Sequence, residues 1–256
     1  MARRWGWLPL AAAALLALGA CHRKPKPPPE PPPPLSFVHI TPDAKVSLTL
    51  DRGFLGQSGL RQQVYDAGVQ NLTTFSQHAH DDRAHLLAKN IASPPYERTV
   101  TWTLTVATPR LAAARESWFD DTGGAHPNHG SKGLIWSILT DTEVPASALI
   151  RPDADQNALD DILCSAIKTA RARREGATAN SAAWPCPRWA DSGVVPTAST
   201  VPGKIGGLTF LFDPYVLGPY AEGDYAVTVP QAQLRRWLSP TYAMEFAGAP
   251  LAPPPG

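Results

Sequence analysis

The chain has 256 residues, with 23 Lys and Arg against 22 Asp and Glu and a formal charge of +1. That balance offers no basic patch for a nucleic acid or other polyanion, so no such partner is expected. Its compositional departures are 28 prolines and only 3 cysteines.

In chain order the first signal is an export segment. Arg3 and Arg4 precede an apolar run from Leu8 to Ala20 that ends at Cys21, His22, Arg23 and Lys24. A run of about 13 residues is too short to span a bilayer but fits a signal peptide. Leu18, Gly19, Ala20 and Cys21 resemble the lipobox of bacterial lipoproteins, an apolar residue and two small ones before an obligatory cysteine. The resemblance implies cleavage of residues 1–20, lipidation (palmitate) of Cys21, and the lipid bilayer as a partner. With His22 rather than an aspartate after the cysteine, it implies the outer membrane, on its periplasmic side. Cleavage removes Arg3 and Arg4 and no acid, which turns the formal charge from +1 to −1.

Residues 21–35 then form a linker. Eight of the ten residues from Pro25 to Pro34 are proline. Proline fixes φ and lacks a donor, so a polyproline spacer of roughly 40 Å is expected. Residues 241–256 read as a tail.

Between linker and tail the hydrophobic spacing sets the element types. Val46, Leu48 and Leu50 alternate with polar residues, as do Val100, Trp102, Leu104 and Val106 with four threonines, and both read as half-buried strands. Leu60 to about Asn90 has apolar residues at helical spacing, weakened by Gly68. Arg110–Asp121 is expected as a hairpin partner of the preceding strand, followed by a strand at Leu134–Leu139. Leu159, Ile162, Leu163, Ala166, Ile167 and Ala170 form one helical stripe, with Asp153 or Asp155 as its cap and Gly176 as its stop. Leu208–Phe212 and Tyr225–Val229 read as strands, and Pro230 opens a last helix reaching about Leu238. This order, rich in hairpins and without regular βαβ alternation, predicts an α+β fold with antiparallel sheets and packed helices.

Cys164 and Cys186 are the pair left once Cys21 is acylated. An even pair in an oxidising compartment reads as a disulfide, against two free or metal-binding thiols. Three segments could carry chemistry. Asp120, Asp121, Gly123, Gly124, His126, Asn128 and His129 put carboxylates and imidazoles within ten residues. Phe119, Asp120 and Asp121 also resemble the first motif of polysaccharide deacetylases, without the His-x-x-x-His partner motif. A Gly-rich turn satisfied by its own side chains is the favoured reading. His78, Asp82 and His85 share one helix face, where a solvated surface is favoured over a metal site. Asp213 to Asp224, with Tyr215 and Tyr220 among glycines and prolines, reads as a rigid contact segment or as packing onto the sheet. No nucleophile and base recur at diagnostic spacing, so no catalytic residue, metal or cofactor is expected.

Gly123 to Asn128 with the strand around Trp136, then Leu208 to Tyr215, Gly218 to Gly223 and Val227 to Leu234, resemble the envelope family known as domain of unknown function 3298. The region before it is similar to the domain that precedes the catalytic one in a peptidoglycan deacetylase. The resemblance implies a PdaC/RsiV-like α+β module, with an N-terminal subdomain at 36–122 and a C-terminal one at 123–240. It implies a non-catalytic module on the cell envelope, with peptidoglycan or a lysozyme-like protein as partner. His126, Asn128, Tyr215 and Tyr220 are the candidate contacts. The alternative is an envelope glycan hydrolase or deacetylase using the Asp120–His129 cluster, which would need Asp120 or Asp121 within about 4 Å of His126 or His129.

Overall fold

Alternation in the sequence becomes a two-sheet architecture in the computed structural model, which describes residues 31–174, 176–177 and 182–252. The expected signal peptide, Cys21 and most of the expected proline linker lie outside the described residues. A six-stranded sheet runs β1 (Ser36–Ile40), β2 (Ala44–Leu50), β3 (Tyr96–Ala107), β4 (Leu111–Asp121), β5 (Asn128–Ser137) and β6 (Thr142–Glu143), each strand beside the next. Between β2 and β3 the chain forms α1 (Ser58–Ala88), so these two strands pair in parallel, and the other neighbours pair antiparallel. The second sheet is β7 (Gly193–Ala198), β8 (Ile205–Phe212) and β9 (Tyr225–Pro230), preceded by α2 (Gln156–Ala172) and followed by the short α3 (Gln231–Leu234). The fold is α+β.

Two cores share the first sheet. Leu60, Val64, Leu72, Phe75 and Ala79 of α1 pack on Val46, Leu48, Leu50, Val100 and Trp102. Gly68, a weak point for an isolated helix, is buried here, and a β-carbon on it would lie 2.8 Å from Leu48 Cδ2. Leu159, Leu163 and Ile167 of α2 join Val195, Ile205, Leu208, Phe210, Val227 and Val229 with Leu111, Ala113 and Ile135 of the first sheet. Because β4 is covered on both faces there, Leu111, Ala112, Ala113 and Ala114 are all buried and the alternation disappears. The sheets approach closely at Gly133, where a β-carbon would lie 2.2 Å from the Val194 carbonyl oxygen. At the bulge between Leu104 and Val106, the Thr105 hydroxyl donates to the Ala113 and Pro196 carbonyls.

Asp155 caps α2, its carboxylate accepting from the Asn157 and Ala158 amides. Cys164 and Cys186 are bonded, tying α2 to the segment before β7.

Several expectations change. β5 starts at Asn128 rather than Leu134, because backbone pairing with β4 carries the polar stretch into the sheet. The last helix ends at Leu234, short of Leu238. β1 and β7 have no counterpart in the sequence reading. The boundary drawn between residues 122 and 123 falls in the turn joining β4 to β5, through which one sheet is continuous. Among the described residues β1 pairs only with β2, leaving a free edge on which Val38 is 63% and Ile40 68% exposed.

Candidate functional site

Strand alternation presents Phe119 and His129 as cross-strand neighbours on β4 and β5. Beside them two segments about 90 residues apart in sequence meet. His126, from the turn after β4, stacks on Tyr220 with ring centroids 4.1 Å apart, and His129 meets the same ring edge-on at 5.5 Å. Tyr215 adds a third ring face 5.7 Å from Tyr220. The Pro127 carbonyl accepts from the Tyr220 hydroxyl at 2.7 Å and from His126 Nδ1 at 2.9 Å. A carbonyl only accepts, so Nδ1 carries the proton, and Nε2 faces the Tyr215 hydroxyl at 3.5 Å, the outer limit of a hydrogen bond. Tyr215 is 55% exposed and sits in the left-handed region at φ 71°, a conformation that a bulky residue keeps only where its surroundings impose it.

Those surroundings are well tied. Asp213 accepts from the Ser131 amide at 2.8 Å, pinning the tyrosine segment to β5. Asp224 lies 3.4 Å from Arg115 and 3.7 Å from His129. Arg174 donates to the Glu222 and Asp224 carbonyls and stacks over the Tyr225 ring at 3.8 Å. Tyr225 is buried and donates to the Glu222 carboxylate. Burial first, and that carboxylate second, push its pKa up to about 12. The result is a rigid base carrying exposed rings, the arrangement in which tyrosine contact area costs little ordering entropy.

The other sequence candidates separate. Asp120 is held by Arg98, with Nε 2.6 Å from Oδ1, and Asp121 accepts from the Gly123 amide at 2.8 Å within its own turn. Neither carboxylate is paired with His126 or His129 among the described residues. Both stand at the end of β4 rather than in the turn itself. Asn128 is exposed at the start of β5, opposite Asp120. His78, Asp82 and His85 are all exposed, and among the described residues no group of three or more His, Cys, Asp or Glu could hold a metal ion.

One helical position away lies a cluster the sequence reading missed. His80 Nδ1 meets Asp43 at 2.8 Å and Arg83 pairs with the same carboxylate, while Arg83 also donates to the Pro42 and Ser93 carbonyls. The hydrogen bond that His80 donates to Asp43 raises the His80 pKa above its usual value, and that bond in turn lowers the Asp43 pKa. These contacts line a pocket of about 350 Å³ with Leu87 and Ile91. No sequence signal joins residues 43, 80 and 83, because only the parallel β2–α1–β3 arrangement brings them together. Among the described residues no helix is long and apolar enough to cross a membrane.

Residues 147–232 match the family model described as a protein of unknown function, DUF3298, which supports the resemblance read from the sequence. A solved DUF3298 member from Bacteroides fragilis aligns with a TM-score of 0.52 at 14% identity, covering 79% of this chain and 88% of its own. Another, from Pseudomonas aeruginosa, aligns with a TM-score of 0.50 at 16% identity, covering 83% and 94%. At such identities the likeness is one of fold. No curated protein matches the chain.

Proposed function

We propose that the chain is a lipid-anchored lipoprotein on the periplasmic side of the outer membrane that binds a cell-envelope ligand without transforming it. The ligand is peptidoglycan or a lysozyme-like protein, and the contacts are His126, Tyr215 and Tyr220 with Asn128 beside them. The observation that carries this reading is the convergence of three rings from two distant segments, His126 and Tyr215 exposed and Tyr220 half-buried between them, on a base fixed by Asp213, Asp224 and Arg174. Exposed aromatic anchors on a preorganised support are what binding surfaces use. What favours binding over hydrolysis is the commitment of Asp120 to Arg98 and of Asp121 to its own turn, since a general acid or base needs its carboxyl within reach of a partner and substrate.

The test is a pull-down of the purified full chain against peptidoglycan fragments and lysozyme, beside Tyr215→Ala. Loss of the exposed ring is expected to weaken binding by roughly 1–3 kcal/mol while leaving unfolding unchanged. Release of acetate or sugar fragments from peptidoglycan, abolished by Asp121→Asn, would replace the binding module with the hydrolase.

A further inference from the structure

The opposite face of the same strands holds a site of different chemistry. α1 packs on β2 and β3, and where that layer gives way to β4 a pocket of about 190 Å³ opens. Asn71 of α1, Arg98 and Val100 of β3, and Glu116, Trp118 and Asp120 of β4 line it. Trp118 and Asp120 alternate with Phe119, so this pocket and the aromatic cluster lie on opposite sides of one strand.

Its charges cancel locally. Arg98 grips Asp120 through two nitrogens, and Lys132 stands 3.0 Å from Glu116. Both carboxylate side chains are largely withdrawn from water, 14% exposed for Glu116 and 13% for Asp120. An anionic ligand would meet these fixed carboxylates and a cation would meet Arg98 and Lys132, so neither sign gains. What remains is a set of oriented hydrogen-bonding groups. Asn71 Oδ1 accepts from Arg98 at 3.0 Å, and the Asn71 amide nitrogen has no protein partner among the described residues.

The apolar component is equally defined. Trp118 is half-buried and pairs across the sheet with Gly130. A β-carbon at Gly130 would lie 2.7 Å from Trp118 Cζ2, so the indole rests in the space that the glycine leaves. Val100 completes the apolar lining. At about 190 Å³ the pocket is below the range of roughly 300–1,000 Å³ typical of drug-sized sites, which leaves room for one ring. A ligand suited to it is uncharged, is one ring in size, has an apolar face for the indole and carries hydroxyls for the amide and carboxylates around it. We infer that this pocket is a subsite for one neutral pyranose unit of a glycan. The inference does not rest on the aromatic cluster or on the membrane anchor.

The experiment follows the indole N–H resonance of Trp118 in the ¹⁵N-labelled full chain, assigned by its loss in Trp118→Phe. Three neutral trisaccharides serve as probes: those of N-acetylglucosamine, glucose and mannose. At least one is expected to shift that resonance saturably, with a dissociation constant of about 10 mM or tighter, which is about 2.7 kcal/mol of affinity or more. Asn71→Ala and Glu116→Gln, which leave the core intact, should each weaken binding about tenfold, the cost of a lost polar contact to the ligand. Gln63→Ala, also exposed on α1, should leave it unchanged. Absence of a shift with all three probes overturns the inference. So does undiminished binding in Asn71→Ala and Glu116→Gln together, or tighter binding of a uronic-acid trisaccharide than of any neutral one.

Discussion

Replacing Cys164 and Cys186 together by serine removes the covalent tie between α2 and the segment before β7. The bridge closes a loop with a sequence separation of 22 residues. In the chain-entropy model a loop of that length withholds about 11 cal/mol/K from the unfolded chain, or roughly 3.4 kcal/mol at 25 °C. The native side of the balance should change little. Leu159, Leu163 and Ile167 keep α2 docked, Arg171 still donates to the Trp184 carbonyl at 3.1 Å, and the Trp189 amide still donates to Asp160 at 2.6 Å. The double variant should therefore lose about 3 kcal/mol, which in a folded unit of this size lowers Tm by about 6–12 °C. Urea titration followed by far-UV circular dichroism measures the loss, and the slope should rise because the uncrosslinked chain exposes more surface on unfolding. A loss below about 1 kcal/mol with an unchanged slope would refute the loop-entropy reasoning. Quantitative labelling of both cysteines in undenatured wild-type protein would refute the bridge itself.

Gly133→Ala sets a β-carbon 2.2 Å from the Val194 carbonyl oxygen, so β7 must shift from β5, and urea titration should show a loss of about 1–3 kcal/mol. Asp43→Ala should lower the His80 pKa towards its ordinary value in an NMR titration, because the hydrogen bond to Asp43 and its charge are the largest causes that raise it. The His80 contribution is present below its unfolded pKa and disappears as pH rises through the higher folded value. That of Asp43 is present above its unfolded pKa and disappears as pH falls through the lowered one, so this contact is fully formed only between the two. Cys21→Ala should leave unprocessed precursor without acyl mass in intact-mass analysis, whereas a mature wild-type protein beginning elsewhere would remove the lipoprotein reading.

The elements legible in the sequence are those whose burial is one-sided. Val46, Leu48 and Leu50 on β2, the alternation of β3 and the Leu159–Leu163–Ile167 stripe each report a single apolar face. β7 escaped because Pro196 interrupts a short run that both neighbouring layers cover, and β1 because its exposed Val38 and Ile40 give no alternation of burial to detect. The start of β5 has no apolar signal in Asn128–Gly133 and exists through its pairing with β4. At the candidate site the residue types of His126, Tyr215 and Tyr220 were informative individually. Their contact was not, because it depends on Asp213 reaching the Ser131 amide 82 positions away. Arg98, Trp118 and Asn71 were silent for the same reason, since a groove between a helix and a sheet has no period in the sequence.

The free margin of β1 bears on how the protein behaves at high concentration. The outward-facing amides and carbonyls of this five-residue strand, about half of them, have no strand partner among the described residues, and with two exposed branched side chains they are a template onto which a strand from another molecule can add, the first step of edge-to-edge aggregation. Pro31, Pro32, Pro33 and Pro34 stand just upstream, and none has an amide hydrogen to donate. An incoming strand therefore finds no ladder donor at these four positions, which shortens the margin open to pairing. Pro31, Pro32, Pro33 and Pro34 thus act as gatekeepers beside the β1 edge, and replacing them with residues that carry amide hydrogens would lengthen the segment open to edge-to-edge pairing.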